Sequence, residues 1–183
     1  MPTWYESIAL LVCAILLAVI AFAKKRGNDK YQFHWSVLSI FFLYLSIDEA
    51  AQIHELFNVF LFSFSSYRIF HFPWVIIGIP IVIIFIITYM KFLINLPKNI
   101  RFLFILAGIF FVGGSLGMEL VGGWYEFANG KENLIYAMIS TIEESLEMIG
   151  TAFFVYALTY ISLYFKEEVV FSFQERDFDL IKT

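Results

Sequence analysis

Asp48, Glu49, His54 and Glu55 stand within a single stretch, SIDEAAQIHELF, of a chain that is 61% hydrophobic. Two other apolar runs carry acids of their own. GMEL brings Glu119, and TIEESLEMIG brings Glu143, Glu144 and Glu147. Ionisable groups inside a membrane span are costly, so each marks a functional site by default. On a helix, residues four and seven apart share a face. Asp48, Gln52 and Glu55 therefore form one stripe, flanked by Glu49 and continued by Tyr44, while His54 points away from it. Glu143, Glu144 and Glu147 fall within about 100° of arc, on a face that Tyr136, Ser140 and Thr151 extend. Ser115, Glu119 and Glu126 align on a third segment. Glu6 and Glu126 read as interfacial acids.

No Lys or Arg lies at membrane depth beside these acids, and His54 is their one cationic neighbour. Buried carboxylates in that position take up protons, face a water-filled cavity or bind cations. An oxygen-rich ligand set with one imidazole suits a divalent metal and disfavours copper(I), which prefers sulfur ligands. The expectation is a metal site with Fe or Mn favoured and Zn or Mg as alternatives. Its ligands are drawn from Asp48, Glu49, His54, Glu55, Glu119, Glu143, Glu144 and Glu147.

The cluster resembles the carboxylate-bridged di-metal sites of four-helix bundles, where Glu and Glu-x-x-His residues project inward from several helices. It departs from them at Glu144-x-x-Glu147, where a His would complete the pattern. The resemblance implies a metalloenzyme, an oxidoreductase ahead of a hydrolase, acting on a lipid-like or hydrophobic small-molecule substrate. Glu49, Glu144 and Tyr44 are its expected catalytic residues. The alternative is a cation or proton transporter or channel using the same carboxylates, or an accessory subunit of a membrane complex.

The elements that position these residues are helices. With 183 residues, 20% aromatic side chains and a mean hydropathy of +0.80, the chain reads as an integral membrane bundle, all-α, with five spans. The hydrophobic runs place helices at about 4–23, 31–62, 72–96, 100–125 and 132–165, followed by a short tail at 166–183. Residues 1–165 form one transmembrane domain, and its partners are membrane lipids, with a homo-oligomer allowed. Met1–Ala23 has an acidic start and its positive charges after the apolar run, so it reads as a retained helix rather than a secretory signal. Gly113 and Gly117 make a GxxxG spacing that invites close helix packing. The single cysteine, Cys13, lies mid-span and reads as apolar filler. No basic patch points to nucleic acid.

Basic residues set the orientation. Lys24, Lys25, Arg26, Lys30, Lys91, Lys98, Arg101, Lys166, Arg176 and Lys182 fall on one side, and Arg68 and Lys131 on the other. Loops rich in Lys and Arg stay in the cytoplasm, which puts the N-terminus outside and the C-terminus inside. The expected location is a prokaryotic plasma (inner) membrane. At the helical rise, Asp48, Glu119 and Glu147 lie about 18–27 Å from the cytoplasmic edge, so all three acidic runs reach the outer half.

Overall fold

The computed structural model describes residues 2–54, 56 and 74–181, with side chains over 4–54, 56 and 74–163. Among the described residues there is no strand. The helices are α1 (Pro2–Arg26), α2 (Gln32–Ala51), α3 (Trp74–Asn95), α4 (Lys98–Val112), a π-helical turn (Gly113–Met118), α5 (Glu119–Asn129) and α6 (Leu134–Ile181). Because α4, the π turn and α5 run on without a break, the described residues form five rods.

Four of these rods are long and apolar enough to cross a membrane: Trp4–Arg26, Trp74–Asn95, Lys98–Asn129 and Leu134–Leu163. Their outward surfaces carry large apolar side chains. On α3, for example, Ile76, Ile77, Ile83, Ile84 and Ile87 are exposed. A surface of that kind suits hydrocarbon and not water.

The core begins with α1 and α2. Along α1 the buried positions Glu6, Leu10, Cys13, Leu17 and Ile20 recur every three or four residues, and on α2 Trp35, Leu38, Phe42 and Ser46 do the same. These two stripes face each other in an antiparallel hairpin. Ser7 Oγ donates to the Ser46 carbonyl and Ser46 Oγ to the Ser7 carbonyl, both at 2.8 Å. Further along, Ser39 Oγ donates to the Ala14 carbonyl at 2.8 Å. Small residues let the backbones approach, and each such bond adds about 0.6 kcal/mol in a membrane. Cys13, fully buried on this seam, is packed as filler.

The rod α4–α5 lies against α6 through Ala107, Gly114 and Gly150. A Cβ on Gly150 would come within 2.6 Å of the Phe111 nitrogen, so the crossing admits no side chain there. Aromatic rings join the layers: Trp35 and Phe92 meet at 4.8 Å, and Phe42 and Phe104 each meet Phe154 at 4.9 Å. His34 stacks on Phe92 and meets Tyr31 and Tyr89 edge-on.

Three boundaries differ from the sequence expectation. The second helix does not run unbroken to 62. It stops at Ala51, because Gln52 adopts a left-handed conformation with φ 52°; 57–62 lie outside the described residues. The fifth helix does not stop at 165 but continues to Ile181. No Gly or Pro follows Gly150 to end it. The fourth is interrupted by the π turn over GGSLGM, where several glycines weaken the ordinary α ladder.

Candidate functional site

The left-handed turn at Gln52 reverses the direction in which the next residues point. His54 folds back onto α2 instead of pointing away from it. Asp48 holds it twice: Oδ1 accepts the His54 backbone N–H at 3.1 Å, and Oδ2 pairs with His54 Nδ1 at 2.9 Å. The indole of Trp74, at the start of α3, packs on the His54 ring at 5.5 Å between centroids. Its Nε1–H donates to Glu119 Oε1 at 2.6 Å. One polar chain thus ties the end of α2 to the start of α3 and to the first residue of α5.

Glu143, Glu144 and Glu147 come from α6. Gly114, in the π turn, makes their position possible. A Cβ there would lie 2.8 Å from Glu147 Cγ and 2.9 Å from the Glu143 carbonyl. The contact is the close approach expected of Gly113 and Gly117, moved to Gly114. Neither Gly113 nor Gly117 has a neighbouring atom within 4 Å of its Cβ position. A π turn holds one more residue than an α turn, so faces counted at 3.6 residues per turn do not carry through it. For the same reason Ser115, inside the π turn, does not carry on the stripe of Glu119 and Glu126, which both lie in α5. Glu126 pairs with Lys131 at 3.3 Å.

Among the described residues Glu6 is the least exposed acid, at 3%. Thr151 Oγ1 donates to its Oε1, while its Oε2 has no hydrogen-bond partner. Glu6, Glu49, Glu119, Glu143 and Glu147 lie close enough for their charges to act on one another.

Glu49, Glu119, Glu143 and Glu147, but not Glu6, border a half-open chamber of about 1540 Å³ between α3 and the rest of the bundle. Asp48, Glu49, His54, Glu119, Glu143, Glu144, Glu147 and Tyr44 all line it, with Gln52, Tyr136, Ser140 and Thr151. Glu55 lies outside the described residues. Along α4 and α5 the wall runs from Arg101 to Gly122, about 30 Å at the helical rise. Between Arg101 and Ser115 the wall from α4 and the π turn is apolar: Phe104, Ile105, Gly108, Ile109, Phe111, Val112 and Gly113. The facing walls carry Leu38, Phe41 and Phe42 from α2, Ile79, Ile81, Val82, Phe85 and Tyr89 from α3, and Thr151 and Phe154 from α6.

The expected metal centre is not what the chamber holds. Among the described residues, no group of three or more His, Cys, Asp or Glu side chains is arranged to hold a metal ion. The physical reason lies in the partners. Asp48 is committed to His54, Glu119 to Trp74, and Glu6 to Thr151. The acids line a wide wall rather than converging on one point. Asp48, Glu49, His54, Glu119, Glu143, Glu144 and Glu147 are corrected from a ligand set to the polar wall of a chamber. The metalloenzyme reading falls with that correction.

A family model described as a domain of unknown function, DUF8692, matches residues 1–161. The chain belongs to that family. The DUF8692 region contains every residue of the chamber wall. Neither a curated protein nor a solved structure matches the chain.

Two residues of the DUF8692 site escaped the sequence reading. Glu6 looked interfacial, yet it stands on the same three-and-four spacing as Leu10, Cys13, Leu17 and Ile20, which was the available signal. Trp74 looked like the start of a span, and no local pattern announces that its N–H meets Glu119.

Proposed function

We propose that this chain is an integral membrane protein that holds a long-chain amphiphile with a cationic head. The apolar part of the chamber takes the chain of that molecule, and the acidic end takes its head. The observation that carries the reading is the chamber itself, with an apolar stretch that ends in six carboxyl groups, two of which, Asp48 and Glu119, are bonded to His54 and Trp74 while the three of α6 face the space as a group. The basic residues lining it among the described ones are His54, Lys131 and, at the far end, Arg101. Carboxylates attract cationic heads by charge alone when the head is a quaternary ammonium, and add charge-assisted hydrogen bonds when it carries N–H groups. The volume exceeds that of ordinary small-ligand pockets, roughly 300–1,000 Å³. The wall length matches a hydrocarbon core of about 30 Å.

Two further features support the orientation in which the head lies toward the outer side. The excess of Lys and Arg at one end fits the positive-inside rule. The antiparallel register of α2 along α1, held by Ser7, Ser39 and Ser46, supports reading α2 as a fifth span beside the four long apolar helices.

The test is binding of dodecyltrimethylammonium to the purified protein in a neutral detergent, beside two variants. Gly108→Trp fills the chamber from a position with no atom within 4 Å of its Cβ. The triple change Glu143→Gln, Glu144→Gln, Glu147→Gln removes the charges of α6. The expected result is binding by the native chain, loss of binding in Gly108→Trp at an unchanged melting temperature, and at least a tenfold weakening in the triple variant. Equal binding by all three proteins would sink the reading.

A further inference from the structure

The Glu6 carboxyl is buried where α1, α2 and α6 meet, at 3% exposure. One of its oxygens accepts the Thr151 hydroxyl, and the other has no partner. The groups whose interactions reach it are Cys13 on its own helix, Glu49 on α2, and Glu147 and Thr151 on α6. None is a base. An ionised carboxylate placed in such surroundings would have a lone pair unmet and, among the described residues, two acids, Glu49 and Glu147, beside it, a costly arrangement in a protein interior.

We infer that Glu6 is an intramembrane proton-binding site, and that its proton is exchanged against the cationic head in the chamber. The unpartnered oxygen carries the proton, and Thr151 keeps donating to the other. Glu147 and Glu49, which line the chamber, are the route of exchange. A cation seated against them offsets the negative charge that Glu6 faces. The O–H bond of the Glu6 carboxyl then breaks, its electron pair stays on oxygen, and the proton leaves to solvent through the polar end. Linkage is reciprocal, so protons weaken cation binding by the same factor by which the cation expels them. The exchange rests on the amphiphile reading above; the proton itself does not.

The test has two arms that fail separately. In the first, infrared difference spectra of the ligand-free protein are taken in light and heavy water. A protonated-carboxyl carbonyl band is expected in the native chain, reduced by one group in Glu6→Gln and unchanged in Glu144→Gln. A band of equal size in native and Glu6→Gln protein overturns the proton site. In the second arm, dodecyltrimethylammonium is titrated into a weakly buffered sample with a pH indicator. Native protein is expected to bind and release protons, while Glu6→Gln binds and releases fewer. Binding with equal release in both proteins overturns the exchange. Absence of any binding removes the amphiphile reading and the exchange with it, and the infrared arm still decides the proton site.

Discussion

At the scale of single residues, the contact between Thr151 and Glu6 is the easiest to test. Removing one partner of a buried bond leaves the other unsatisfied and costs about 1–3 kcal/mol, whereas removing both is close to neutral. Thr151→Val is therefore expected to lower the melting temperature in detergent by several degrees. The pair Glu6→Leu with Thr151→Val is expected to recover most of that loss. A double variant that melts below the single one would show that Glu6 is held by something other than Thr151. Asp29, in the turn between α1 and α2, gives a second test. Burial works to raise its carboxyl, but the Tyr31 N–H at 2.7 Å and the Lys24 ammonium at 3.0 Å outweigh burial and hold it below the ordinary 3.8. A depressed carboxyl stabilises the fold above its unfolded value and loses that contribution as pH falls through its folded value. Asp29→Asn is expected to melt below the native chain at neutral pH, with the gap closing below pH 3.8. Much at this scale was legible beforehand, because acids stand out in an apolar chain. The partner of each acid was not. Gln52 is an ordinary residue in a helical pattern, and nothing near it announces a left-handed turn that folds His54 onto Asp48.

At the scale of elements, glycines divide into two kinds that sequence cannot separate. Gly114 and Gly150 are pressed against α6 and α4, with backbone atoms within 2.9 Å of where a Cβ would stand. Gly108 and Gly113 meet nothing within 4 Å. Gly150→Ala and Gly114→Ala are expected to push the rods apart and lower stability by more than about 2 kcal/mol. Gly108→Ala and Gly113→Ala are expected to leave it unchanged or raise it by up to about 1 kcal/mol, since alanine is the better helix former. Thermal or denaturant unfolding of the four single variants checks the split, and equal losses at all four would mean that α4 and α6 do not meet through Gly114 and Gly150. The number of helices was legible, because twenty-residue apolar runs are a strong signal. Their register was not, because the π turn over GGSLGM shifts every face counted across it and moves the close contact from Gly113 to Gly114.

At the scale of the whole molecule, the arrangement of polar groups decides between holding a molecule and passing an ion. An ion crossing the bilayer needs polar partners throughout its path, because an unpartnered charge in hydrocarbon is strongly disfavoured. The chamber supplies them at the acidic end and again at Arg101, and the wall of α4 and the π turn between Arg101 and Ser115 offers none. On that wall the apolar run, from Phe104 to Gly113, is about 14 Å at the helical rise, and the hydroxyls of Tyr89 and Thr151 on the facing walls already donate to the His34 carbonyl and to Glu6. The run is far longer than a hydrated ion can bridge and well suited to a hydrocarbon chain. Liposomes carrying the purified chain are therefore expected to show no more proton or potassium flux than empty liposomes, under an imposed potential of either sign. Glu119→Gln is expected to change nothing in that assay, because the acid it removes stands at one end of a path that is not continuous. Flux in the native chain that disappears in Glu119→Gln would mean that water reaches through the Phe41, Phe85 and Phe104 layer, and the chamber would then be a conduit with an acidic mouth.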